Sequence, residues 1–239
     1  MCQILARPRD QIIGRHIFDF TDEENTRVFK DNIARRARGE AGAYEVSLLR
    51  PDGSLIPCHV SANPLLDEQG VKIGSFAMFT DITERKEIEE RINAYFNNSS
   101  DGLLLLSPES GFIHANPAAA VLFGFPSISD LAMCKPGDLA PERQPDGRIS
   151  SEASVEYMNT AMQMDTALRF DWVHKRQDGT EFPCEITLVR ITLAGKPALL
   201  TSIRDITERK KAEEKLRVAM QAAEAATQAK SAFLATMSH

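Results

Sequence analysis

The chain has little of what marks a membrane, nucleic-acid or disulfide-bonded protein. Its runs of large aliphatic residues, such as Leu103 to Leu106, stop far short of the roughly 20 apolar residues that span a bilayer. The N-terminus carries no apolar signal region, so the expected location is cytoplasmic, with no membrane partner for the visible chain. Basic residues are outnumbered, 28 Lys and Arg against 34 Asp and Glu, for a net charge of −6. With no basic surplus to neutralise phosphates, nucleic acid is not an expected partner. Cysteine is sparse: Cys2, Cys58, Cys134 and Cys184 form no Cys-x-x-Cys pair and no zinc-like cluster with histidine, so they read as free thiols in a reducing compartment and no metal site is expected. Glycine-rich nucleotide-binding segments are missing as well. A composition that is 43% hydrophobic is nevertheless that of a globular protein with a core of its own.

What the chain does have is a duplication. The hexapeptide Asp-Ile-Thr-Glu-Arg-Lys occurs at residues 81–86 and again at 205–210. Upstream, Arg50, Asp52, Gly53, Pro57 and Cys58 fall opposite Arg176, Asp178, Gly179, Pro183 and Cys184, so one supersecondary unit has been used twice. The copies lie about 120 residues apart, the size of one small domain. In the first, Tyr44, Val46 and Leu48 alternate with polar residues, residues 51–54 supply a turn, and Ile56, Cys58, Val60 and Ala62 alternate again; residues 71–80 make a third strand. The second repeats this with Phe170, Trp172 and His174, the turn at Asp178-Gly179, then Phe182, Cys184, Ile186 and Leu188, and a last strand through Ile203. Only the second has a front portion, with strands near 102–106 and 111–115 and a helix opened by Asn116-Pro117. The expected fold class is α+β: tandem five-stranded antiparallel sheets with short helices, the first lacking its opening third.

A helix is expected after each hexapeptide, with Asp81 and Asp205 at its N-cap and Glu84 and Glu208 three residues on, in a capping-box variant. Strand and helix are then mechanically coupled. In the second helix Ala212, Leu216, Ala219, Ala223, Ala226, Lys230, Phe233 and Met237 follow alternating spacings of four and three, which predicts a parallel two-chain coiled coil or, on spacing alone, a plain helical linker. Ile88, Ile92 and Tyr95 repeat the pattern briefly in the helix between the modules. The charge run of residues 208–215 reads as a solvated helix face.

The Asp-Gly turn, the strand carrying Pro-Cys and the repeated junction together resemble PAS domains with their C-terminal PAC motif. The resemblance divides the chain into an incomplete module at 1–86, a linker helix at 87–97, a complete module at 98–207, and a coiled-coil linker at 208–239 that begins the dimerisation helix of a kinase. Residues 230–239, Lys-Ser-Ala-Phe-Leu-Ala-Thr-Met-Ser-His, resemble the start of the phosphoacceptor box of sensor histidine kinases, which makes His239 the phosphoacceptor. With Met237 on the seam, His239 falls on the outside of the helix, open to an ATP-binding domain. The family's box continues with an acidic residue and a helical hairpin, whereas this sequence stops at His239. ATP and Mg2+ would be needed only by that further catalytic domain.

The resemblance implies the sensory portion of a two-component histidine kinase, homodimeric through its C-terminal helix and signalling to a response regulator receiver domain. A PAS-only ligand-binding or interaction module, and a cyclase-linked module, are the alternatives. Residues assigned to signal coupling are Asp81, Thr83, Arg85, Asp205, Thr207 and Arg209. Trp172, His174 and Cys184 are assigned to a candidate pocket for a small-molecule ligand. The family's haem ligand would lie on the helix before the final hairpin, yet residues 150–164 and 25–38 hold no histidine. Cys134 sits in Ala-Met-Cys-Lys-Pro-Gly, unlike the light-sensing flavin motif. Haem and covalent flavin are therefore not expected, and the cofactor is otherwise unassigned.

Overall fold

The computed structural model describes residues 1–38, 42–70, 72–107, 111–134 and 136–237, and the chain divides into two compact units, Met1–Asn93 and Ala94–His239. Val71, expected to open a strand, and His239 lie outside the described residues.

The first unit comprises α1 (Cys2–Leu5), two short 3-10 turns, α2 (Glu23–Ala37) and three strands, β1 (Ala43–Leu49), β2 (Leu55–Leu66) and β3 (Lys72–Asp81), paired antiparallel in the order β1-β2-β3. Alternation in the sequence becomes alternation in burial, because successive side chains on a strand face opposite sides. Val46, Leu48, Ile56, Cys58 and Val60 pack with Leu5, Phe20 and Phe29 in one core. The sheet has three strands rather than five, as the absence of a matching front portion implied. Its third strand, β3, pairs with β2 along one edge only among the described residues, and Phe76 and Met78 are exposed.

After α3 (Thr83–Asn97), the second unit adds β4 (Gly102–Ser107), β5 (Gly111–Ala115), the helices α4 (Pro117–Phe123), α5 (Ile128–Ala132) and α6 (Ser150–Gln163), then β6 (Leu168–Lys175), β7 (Glu181–Leu193), β8 (Lys196–Asp205) and α7 (Thr207–Met237). The sheet order is β5-β4-β8-β7-β6, all antiparallel. Here β8, the counterpart of β3, is enclosed by β4 and β7. Its inner face joins a core that includes Leu104, Phe123, Trp172, Phe182, Ile186 and Leu199. Gly102 permits α4 to lie directly on β4: a Cβ there would stand 3.3 Å from the Ala119 Cα and 3.1 Å from Leu122.

The duplicated motifs fold alike. Gly53 and Gly179 take φ of 84° and 87°, a region open to glycine. Asp52 and Asp178 each accept the N–H two residues on, from Ser54 at 2.9 Å and Thr180 at 2.8 Å, an Asx-turn that pins each hairpin. The helix after each hexapeptide starts one residue later than the capping-box reading expects. The carbonyls of Ile82 and Ile206 accept the first helical bonds, from Lys86 and Lys210, so these isoleucines stand at the N-cap. Asp81 and Asp205 sit one residue outside and instead accept the N–H of Thr83 at 2.9 Å and Thr207 at 2.8 Å. The shift arises because Ile82 and Ile206 are buried and still donate their N–H groups to the Pro57 and Pro183 carbonyls, which ties them to the neighbouring strands β2 and β7.

No described helix is long and apolar enough to cross a membrane. The seam positions Ala212, Leu216, Ala219 and Ala223 of α7 are exposed in the single chain, as are Ile88, Ile92 and Tyr95 of α3.

Candidate functional site

The second unit has a partly open cavity of about 80 Å3 between its sheet, α4, α6 and residues 137–140, several times the roughly 10–15 Å3 that one water needs. β6 places Trp172 and His174 in its wall, α4 supplies Phe123, and α6 supplies Tyr157. Tyr157 stacks on Phe170 at 3.8 Å, and Trp172 meets both edge-on at 6.1 and 6.0 Å, so one wall is aromatic. Among the described residues no Lys, Arg, Asp or Glu lines the cavity.

His174 is its principal polar member. Nδ1 lies 2.6 Å from the Leu139 carbonyl. A carbonyl can only accept, so Nδ1 carries the proton and Nε2 of the neutral ring is a bare acceptor. Burial pushes the His174 pKa down to about 4 against the partial restoring effect of the Leu139 carbonyl, which keeps the ring neutral. Among the described residues Nε2 is buried with no partner, and the same is true of Thr201 Oγ1, also on the cavity wall. Cys184, grouped with these residues from the sequence, is not among the lining residues; it stands opposite Trp172 on the neighbouring strand, its Sγ 3.4 Å from the Trp172 carbonyl. Burial drives the Cys184 thiol strongly upward and the Cys58 thiol up to about 11, so both behave as small core residues with no thiolate to react.

The coupling residues gather at the two strand-helix junctions. Asp205 faces Cys184 across the β7–β8 ladder and Asp81 faces Cys58 across β2–β3. Burial would raise the Asp205 carboxyl, but hydrogen bonds from Thr207 and Arg176, with the Arg176 charge, outweigh it and hold the pKa below the ordinary value. Hydrogen bonds from Thr83 dominate the same lowering at Asp81. Arg85 pairs with Glu45, and Lys86 reaches the same carboxylate at 2.7 Å. In the second unit Lys210 reaches Asp171, the counterpart of Glu45, at 2.7 Å, and Arg209 lies 3.8 Å from Glu185. Each helix start is thus strapped to the strand two places across the sheet.

Three residues outside the assigned set complete the site. Arg176 binds Asp205 at 2.8 Å, donates to the Leu122 carbonyl at the end of α4, and lies 4.1 Å over the Phe182 ring. Gln177 takes the adjacent Phe123 carbonyl at 2.9 Å. The signal for Arg176 was present in the sequence, since Arg50 and Arg176 match across the repeat. Asn116 is fully buried and uses all four of its hydrogen-bonding positions, accepting from Leu103 and Ala119 and donating to the carbonyls of Phe96 and Asp101. It joins the end of α3 to β4 and α4.

Comparison with known proteins bears on this arrangement directly. A family profile described as "PAS domain" matches residues 1–84, and one described as "PAS fold" matches residues 96–211. Sporulation kinase A of Bacillus subtilis is 24% identical over 219 residues, 87% of this chain and 34% of its own length. Sensor protein FixL of Bradyrhizobium diazoefficiens is 22% identical over 222 residues, 89% of this chain and 43% of its own. The chain therefore spans less than half of either relative. Among solved structures, the PAS domain of an HTR-like protein from Haloarcula marismortui superposes with a TM-score of 0.43 at 21% identity, covering 52% of this chain and 95% of that one. With its duplicated hairpins and junctions and two profiles of one family matching most of its length, the chain is a tandem of two domains and belongs to the PAS family.

Proposed function

We propose that this chain is the sensory and signal-transmitting portion of a two-component histidine kinase. The second PAS domain takes a cue in its cavity, and the change passes through Asp205 into α7. Dimerised as a coiled coil, α7 carries a rotation or register shift to phosphoacceptor His239, from which a response regulator receiver domain takes the phosphoryl group. A seam of alanines buries little apolar area, at about 25 cal/mol per Å2, and so suits a helix pair with two closely balanced packings. The first PAS domain repeats the same junction through Asp81, Thr83 and Arg85.

The observation that carries this reading is the contact set of Arg176. One guanidinium holds both the C-terminal carbonyl of α4, next to Phe123 on the cavity wall, and the carboxylate that organises the first turn of α7. A ligand that displaces Phe123 moves the carbonyl to which Arg176 is anchored.

The test is phosphotransfer. The whole chain is incubated with ATP, Mg2+ and a separately purified histidine-kinase ATP-binding domain. Acid-labile phosphate is expected on the wild type and not on His239→Gln, with the labelling rate altered in Asp205→Ala. A chain that stays unlabelled would overturn kinase output and leave a PAS interaction module. Sedimentation is expected to give a dimer, which Leu216→Glu with Ala223→Glu converts to monomer.

A further inference from the structure

We infer that the open edge of β3 is a self-association surface: at high concentration two copies of this chain pair their β3 strands antiparallel across a two-fold axis, Ala77 against the partner's Ala77. This rests on no reading of α7 or of the cavity.

The two sheets present four edge strands, β1, β3, β5 and β6, and an exposed edge invites pairing unless it is guarded. Three are guarded. Asn25 Oδ1 accepts the Ser47 N–H of β1 at 2.7 Å. Gln144 does the same on β6, accepting the Val173 N–H at 2.8 Å and donating to the Val173 carbonyl at 3.1 Å. β5 is five residues long, with an irregularity in its pairing. Residues 73–80 of β3 instead hold no charge and no proline, and among the described residues nothing pairs with their outer edge. Phe76 and Met78 are 62% and 59% exposed.

Hydrogen-bond parity fixes which groups that edge offers. Asp81 stands opposite Cys58, yet it is Ile82 that donates to the Pro57 carbonyl, so Asp81 is a non-hydrogen-bonded position of the β2–β3 ladder. At a period of two, Phe79, Ala77 and Ser75 are as well, and their N–H and C=O groups point outward. Their counterparts Ile203, Thr201 and Leu199 direct the same groups at β4, opposite Gly102, Leu104 and Leu106.

An occupant must offer groups of the same parity and an uncharged outer face, and β3 itself meets both requirements. A two-fold centred on Ala77 also sets Ser75 against the partner's Phe79, which satisfies all of these groups. A centre at Ser75 or Phe79 runs the ladder off one end of the strand. The Ala77 register lays Phe76 beside the partner's Met78 twice, on the face where both are exposed, a contact that ring and thioether favour. Growth stops at two, because the other edge of each sheet, β1, is held by Asn25. One short ladder is a small contact, under the roughly 1,200 Å2 of a stable interface, so copies stay apart in dilute solution.

The test uses cysteine as a ruler. Ala77→Cys and Ser75→Cys, both at exposed positions, are made separately in the whole chain carrying Cys2→Ser and Cys134→Ser. Leu216→Glu and Ala223→Glu are added to remove α7 as a source of pairing. Opposed Cα atoms at position 77 would lie about 5.5 Å apart, within disulfide reach, whereas those at position 75 are four residues out of register, roughly 13 Å apart. On oxidation at high protein concentration, Ala77→Cys is expected to give a disulfide-linked dimer and Ser75→Cys none. Adding Phe76→Glu and Met78→Glu, which sets like charges opposite one another twice, should abolish the Ala77→Cys dimer. Equal dimer from both cysteines, dimer that survives the glutamates, or none from either overturns the pairing, and the last result leaves the edge to a strand of other origin.

Discussion

His174 should make the second PAS domain lose stability in mildly acidic solution, between neutrality and about pH 4. In the unfolded chain its ring titrates at the ordinary value of 6.5, and in the folded chain burial pushes that down to about 4. A base whose folded pKa is depressed binds its proton more readily when unfolded. Its stabilising effect is therefore fully present above 6.5 and is lost as pH falls toward 4. Linkage over this interval gives a loss of about 2 kcal/mol between about pH 7.5 and pH 5, approaching about 3 kcal/mol near pH 4. The carboxylates Asp81, Asp178 and Asp205 are all held below their ordinary values, so they titrate beneath this window. The assay is urea unfolding followed by Trp172 emission, which reports the second domain alone. His174→Phe changes absolute stability for other reasons, since the Leu139 carbonyl loses its partner, so only the change with pH is compared. Every other ionisable group is common to both chains. The wild type should lose about 2 kcal/mol more than the variant across the interval. Parallel losses in the two proteins would mean that His174 is not held neutral by burial, and the argument for a bare Nε2 would fall with it.

Asn116→Ala removes four side-chain hydrogen bonds and leaves the Leu103 N–H without its acceptor, and should cost about 2–4 kcal/mol, read as a lower urea midpoint at Trp172. Native-state thiol labelling should modify exposed Cys2 rapidly and leave Cys58 and Cys184 untouched until unfolding; fast reaction at either buried site would contradict the packing. Lys210→Ala removes an ion pair between half-exposed side chains and should change stability by less than about 1 kcal/mol. Asp205→Ala also releases the Thr207 N–H and the better-buried Arg176, and should cost about 1–2 kcal/mol. A larger loss from Lys210→Ala than from Asp205→Ala would reverse the ranking of these contacts.

Much of the second domain could be read from local pattern. Alternation at Phe182, Cys184, Ile186 and Leu188 marks β7, Asn116-Pro117 marks the start of α4, and the Asp-Gly turns mark both hairpins. These signals are local, since a turn or a cap is decided within a few residues. The N-cap position was misread because burial of Ile206 and its bond to the Pro183 carbonyl, a contact across the sheet, decide where the helix begins. The same limitation applies to the cavity. Trp172 and His174 could be placed on one strand face from their spacing, but Tyr157 and Phe123 join them through helices whose packing no periodicity states. Cys184 shares that face and stands opposite Trp172 in the β6–β7 ladder, yet it does not line the cavity.

The duplication also sets one motif in two sheets of different width. In β8 the backbone is bonded on both sides, by β4 and β7, whereas among the described residues β3 is bonded by β2 alone. Alternate amides of β3 thus point away from any strand. Exchange with deuterated solvent should take these within seconds to minutes while their counterparts in β8 persist until the domain opens. Because the flanking hairpins and junctions are nearly the same in the two copies, the difference in exchange between β3 and β8 gives the effect of one neighbouring strand, measured within a single molecule and a single sample.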